Sequence, residues 1–138
     1  MTRKPIPGAV RPFRVDTEVT TSTFCRLLPR RNKVPARVTW TRDDPYAARL
    51  AFPGKREWVI ALALLAEGLR DLVGEGDVRV GPFDQRWVVV NLRNASQDAY
   101  LMLPRKAVKR FVAAVREQVP PNIDTLIAAE LRDLLTAD

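Results

Sequence analysis

The chain has 138 residues, 46% of them apolar and 28% charged, with a formal charge of +7. That is the size and composition of a single folded domain able to bury a core without a disulfide or metal staple. It contains no histidine, one cysteine (Cys25) and two serines (Ser22 and Ser96), which excludes His-based acid–base pairs, Cys–His and Ser–His nucleophiles and multi-cysteine metal centres.

Residues 1–13 hold three prolines among Arg and Lys and read as an extended basic arm before a single domain over 14–138. From Arg14 to Leu28 the residues alternate, with Val15, Thr17, Val19, Thr21, Thr23 and Cys25 on one face, which predicts a long strand. Pro29 to Lys33 predicts a turn and Val34 to Thr41 a second strand. Asp43-Asp44-Pro45 predicts another turn, Tyr46 to Phe52 a third strand, and Pro53-Gly54-Lys55 a turn into a fourth strand over Glu57 to Ala61.

The period then changes. Leu62, Leu65, Leu69 and Leu72/Val73 recur at helical spacing up to Gly74, read as a C-terminal cap. Asp77 to Val80, Trp87 to Leu92 and Asp98 to Leu103 predict three more strands, with turns at Gly81-Pro82 and Asn94-Ala95. Pro104 opens a helix with Val108, Phe111, Val112, Val115 and Val119 on its apolar side. Pro120-Pro121 breaks it, and a third helix follows Asn122 with Leu126, Ile127, Leu131 and Leu134 as its stripe. Sequential short strands joined by tight turns predict an α+β domain: an antiparallel seven-stranded sheet or barrel with three packed helices.

Charge divides the chain. Residues 1–42 carry ten Lys/Arg against Asp16 and Glu18, whereas residues 43–138 carry thirteen against fourteen acids. The longest apolar run, Trp58 to Ala66, is nine residues, far short of a membrane span, and the basic N-terminus lacks the apolar stretch of a signal peptide. The expectation is an intracellular protein. No strand is followed by a G-x-G-x-x-G or P-loop motif, so neither cofactor nor metal is implied.

An ordered set of short motifs is more specific than any of these patterns. Asp44-Pro45-Tyr46-Ala47 is followed by Glu57-Trp58-Val59, by Leu64-Leu65-Ala66-Glu67-Gly68-Leu69, and by Gly76-Asp77-Val78-Arg79-Val80 with Pro82. This set resembles the SsgA-like proteins, small actinobacterial proteins of sporulation and cell division, over about residues 15 to 136, with the SsgB type most similar. The resemblance implies a whirly-type β-domain assembled as a homotrimer, with no active site, acting at division septa in the cytoplasm. It further implies that SsgB-type members bring the tubulin-like protein FtsZ to septum sites, with other SsgA-like proteins as partners. The N-terminal arm is longer and the Pro29-to-Lys33 turn more basic than that pattern, which leaves the paralogue open.

Most of the signature residues (Asp44, Pro45, Tyr46, Glu57, Trp58, Leu65, Glu67, Gly68, Gly76, Asp77, Val78) read as structural. Asp44-Pro45-Tyr46 is expected to fix a turn and send the tyrosine inward, and Gly68 to mark a close approach inside the middle helix. Trp40, Tyr46, Trp58 and Trp87 suit a core or subunit interface better than a base-stacking platform. Cys25 reads as an inert, half-buried small hydrophobe. Arg26, Arg30, Arg31, Lys33, Arg37 and Arg42 form the candidate patch. A solvated face, a site for an acidic protein and a phosphate-binding surface all fit it, so two functions stand side by side: a non-enzymatic adaptor and a single-stranded nucleic-acid binder.

Overall fold

The computed structural model describes residues 18–54 and 57–118. Alternating Val and Thr give β1 (Glu18–Leu27), which turns at Leu28–Arg31 into β2 (Asn32–Thr41). β3 (Asp44–Ala51), β4 (Trp58–Ala61), α1 (Leu62–Glu67), β5 (Val78–Pro82), β6 (Trp87–Arg93), β7 (Asp98–Pro104) and α2 (Arg105–Gln118) follow. All seven strands join one antiparallel sheet in the order β4-β3-β2-β1-β7-β6-β5.

The sheet bends at its middle. β1 pairs with β2 along its whole length, from Glu18↔Thr41 to Leu27↔Asn32, but meets β7 only at Arg26↔Met102 and Leu27↔Leu101. A four-stranded and a three-stranded leaf therefore join at one corner and share a core, giving the α+β, nearly barrel-like architecture that the strand pattern predicts. Val19, Cys25, Val38, Trp40, Leu50 and Ile60 line the first leaf, and Val80, Val88, Val90, Leu92, Leu101 and Leu103 the second. α2 covers the space between them with Val108, Phe111, Val112 and Val115, spaced to lie along one side of the helix. Two helices lie among the described residues. The expected third helix, the Pro120-Pro121 break and the basic arm over 1–13 fall outside them.

Local chemistry sets the turns. The Asp84 carboxylate accepts the N–H groups of Arg86 and Trp87 at 2.8 and 2.9 Å, so the β5–β6 turn falls at Phe83–Arg86 rather than at Gly81-Pro82, which belong to β5. Asn94 does the same between β6 and β7, its Oδ1 accepting from Ser96 and Gln97. Pro35 falls on the stretch of β2 that β3 no longer pairs, where a missing N–H costs no ladder bond. Near the other end of β2 the register shifts between Thr39 and Thr41, and the buried Trp40 donates its indole N–H to the Pro45 carbonyl at 3.0 Å.

The middle helix is shorter than its leucine spacing suggests. It ends at Glu67 with Gly68 as its cap, and Leu69 to Gly74 are not helical. A Cβ on Gly68 would collide with Cγ1 of Val80, so the backbone comes against β5 there. The chain then turns, with the N–H groups of Arg70 and Asp71 both bonded to the Glu67 carbonyl, and Val73 bridges to Val80. Close approach is thus the role of Gly68, but at the end of the helix rather than inside it. Arg105 fastens this region from the start of α2, donating from Nη1 to the Leu69 carbonyl at 2.6 Å and from Nη2 to the Asp84 carbonyl at 2.9 Å.

Candidate functional site

Side chains on a strand alternate, so the inward set Val19, Cys25, Ala36 and Val38 leaves an outward set on the same two strands. On β1 that set is Thr20, Ser22, Phe24 and Arg26; on β2 it is Lys33, Pro35, Arg37 and Thr39. The register puts Arg26 opposite Lys33, Phe24 opposite Pro35 and Ser22 opposite Arg37. Arg30 and Arg31 sit at the turn that joins the strands, both exposed. Arg26, Lys33 and Arg37 therefore share one face of the hairpin, with Arg30 and Arg31 at the turn that ends it.

Arg42 does not. It lies in the turn at the far end of β2, nine residues from Lys33, or about 30 Å at the rise of a strand. Its nearness to the others in sequence does not carry over into space.

The patch has little internal compensation. Among the described residues of this leaf, an ion pair joins Arg49 to Asp44 at 3.8 Å, on β3. Arg26 reaches the Arg31 carbonyl at 3.4 Å, and the Lys33 ammonium lies 4.3 Å from the centre of the Phe24 ring. None of Arg26, Arg30, Arg31, Lys33 and Arg37 is paired with an acid among the described residues. Phe24, which sequence reasoning passed over, is 51% exposed in the middle of this field. The signal for it was the alternation itself: a face that buries Cys25 must turn its neighbour outward.

The signature residues are mainly architectural. Leu65 is buried, and Trp58 and Val78 pack against the core. The carbonyl of Asp77 accepts the N–H of Arg93 at 2.7 Å, Glu67 closes α1, and Gly76 takes a left-handed φ of 70° in the turn before β5. Glu57 is exposed at the start of β4. Tyr46 departs from its expected inward placement, with 36% of its surface exposed; the buried indole of Trp40 occupies the interior instead. Trp40 belongs to the core and Trp58 packs against it, so the four aromatic residues form no common outer platform.

A cavity of about 720 Å³ opens where the two leaves separate, lined by Leu27, Val34, Phe52, Trp58, Leu92 and Leu101 with a polar rim at Asn94 to Asp98. Ser96 and Asp98 stand on that rim, and the Ser96 hydroxyl donates to Asn94 Oδ1 at 3.1 Å. Among the described residues no group of three or more His, Cys, Asp or Glu is placed to hold a metal ion, and no helix is long and apolar enough to cross a membrane. Cys25 is fully buried, and burial pushes its thiol above the ordinary value of 9.0, away from the thiolate a nucleophile needs.

Fold and surface define a β-rich module whose exposed chemistry lies on a strand face. Residues 34–123 match the family model described as "Streptomyces sporulation and cell division protein, SsgA". The sporulation-specific cell division protein SsgB of Streptomyces coelicolor is 38% identical over 98 residues, 66% of this chain and 72% of that protein. SsgB of Saccharopolyspora erythraea is 34% identical over 77% of this chain and 81% of its own length. Among solved structures, one described as "Mutations in SsgB correlate to longitudinal cell division during sporulation of Streptomyces coelicolor" superposes with a TM-score of 0.72 at 34% identity, covering 83% of this chain and 96% of that one. The crystal structure of an SsgA-like sporulation-specific cell division protein from Thermobifida fusca gives 0.64 at 29% identity, covering 84% and 97%. The chain belongs to the SsgA-like family of sporulation and cell division proteins, and several of its relatives are named SsgB.

Proposed function

We propose that this protein is a non-enzymatic adaptor of sporulation-specific cell division, which localises or recruits FtsZ to future septa in the cytoplasm. The observation that carries the reading is the pairing of SsgB-type relationship with an uncompensated basic and aromatic face on the β1–β2 hairpin. In this reading residues 14–138 act as one whirly-like domain behind a basic arm at 1–13. Three copies assemble as a homotrimer, with other SsgA-like proteins as further partners. Arg26, Arg30, Arg31, Lys33 and Arg37 form the partner-facing surface, and Arg42, at the far end of β2, stands apart from it. Symmetry then does much of the work: several weak sites on one particle, facing a filament of repeated subunits, exceed the affinity of one site by ~10²-fold or more.

Nucleic-acid binding is the reading less favoured. Single-strand binders stack successive bases on free aromatic faces, whereas Trp40 here belongs to the core and Trp58 packs against it. The test is co-sedimentation of the purified protein with GTP-assembled FtsZ at physiological salt. Recruitment predicts that the protein pellets with filaments and stays in solution without them; a protein that remains in the supernatant in both cases overturns direct recruitment.

A further inference from the structure

The outer face of the β1–β2 hairpin has two features that its own fold does not explain. Arg26 and Lys33 stand directly opposite each other, and like charges in such a cross-strand pair destabilise a sheet. Their ends diverge, Lys33 over the Phe24 ring at 4.3 Å and Arg26 toward the Arg31 carbonyl at 3.4 Å, and no described acid stands between them. The second feature is Phe24 itself, 51% exposed beside Pro35 where an apolar side chain contributes nothing to the core.

Together the two features form a pattern. Rows of the same face recur every second residue, about 6.6–7 Å apart. They run from Arg26 with Lys33, through Phe24 with Pro35, to Ser22 with Arg37: cationic, apolar, cationic. An extended polypeptide presents its own alternate side chains at the same spacing.

We propose that this face docks an extended acidic segment of a partner protein in which an apolar side chain stands between two carboxylates at alternate positions. The apolar side chain packs on Phe24 and Pro35. One carboxylate enters between Arg26 and Lys33 and relieves their repulsion, and the other meets Arg37. The assignment rests on the reading of the chain as a recruitment factor and gives that reading its surface. Nucleic acid fits the face less well, because Phe24 is the hairpin's single aromatic on this side and Lys33 already covers one side of its ring.

The probe is a fluorescein-labelled peptide in which glutamate, leucine and glutamate alternate with serine, followed by anisotropy against the whole protein. The parent is expected to bind it and to lose roughly tenfold or more in affinity on Phe24→Ser, on Lys33→Glu and on Arg37→Glu. All three residues are exposed, and circular dichroism verifies that each variant is folded. A peptide with serine in place of leucine is expected to bind as weakly as Phe24→Ser does. The assignment is overturned if the parent ignores the peptide, if the three variants bind it like the parent, or if a labelled oligonucleotide binds more tightly and depends on the same residues. The two readings fail separately. Filament pelleting that is unchanged by the three substitutions overturns this surface alone, whereas peptide binding by a protein that never pellets with FtsZ overturns the recruitment reading alone.

Discussion

Gly68 and Cys25 show how single residues bear on the account. Gly68 has an ordinary helical φ of −63°, so a side chain there costs nothing in backbone strain; the cost is collision with Val80 across the α1–β5 contact. Gly68→Ala is expected to lower stability by about 1–3 kcal/mol, the usual range for overpacking, read as a lower urea midpoint with an unchanged slope. Cys25 acts through pH. Its folded thiol ionises above the ordinary value of 9.0 because burial disfavours the thiolate. Above that pH the unfolded chain gives up the proton first and binds fewer protons than the folded one, so stability falls as pH rises. Urea midpoints taken from below to above 9.0 are expected to fall more steeply for the parent than for Cys25→Ala. In the native protein the thiol is also expected to resist alkylation that it accepts once unfolded.

At the scale of elements, Arg105 gathers the end of α1, the β5–β6 turn and the start of α2 through two carbonyls. Arg105→Met keeps most of the side-chain volume but strands both acceptors. A loss of about 2 kcal/mol is expected from charge-assisted bonds of this kind, measured by the same urea midpoints. A substitution that leaves the midpoint unmoved would show that water replaces the guanidinium freely. All seven strands were legible in the sequence, β1 from the alternation that a strand's own period sets and the others as short β-prone runs between turn residues. The length of α1 was not. Leu69, Leu72 and Val73 continue the helical spacing of Leu62 and Leu65, but the helix closes at Glu67, where Gly68 brings its backbone against Val80, a contact twelve residues distant that no local pattern encodes. Arg105 was equally hidden, since its acceptors Leu69 and Asp84 are 36 and 21 residues away.

At the scale of the molecule, five of the described basic residues, Arg26, Arg30, Arg31, Lys33 and Arg37, lie on the β1–β2 hairpin. The asymmetry between residues 1–42 and the remainder was visible in the sequence; that Arg42 stands apart from the other five patch residues was not, because linear nearness says nothing about which end of a strand a residue occupies. Phe24 lay within the predicted strand, yet its importance emerges only when the register sets it between the Arg26–Lys33 and Ser22–Arg37 rows. Those rows are the link between family and mechanism. In the proposed reading the protein acts through a surface that its own fold leaves unsatisfied, and this face leaves both charge and apolar area over.

The central claim, recruitment through the hairpin face, is tested most directly by competition. FtsZ filaments carrying the protein are mixed with increasing amounts of the alternating glutamate–leucine peptide and pelleted. Release of the protein into the supernatant, absent with the peptide that lacks leucine, is the predicted result. Pelleting that persists undiminished when the peptide saturates the protein would contradict the account.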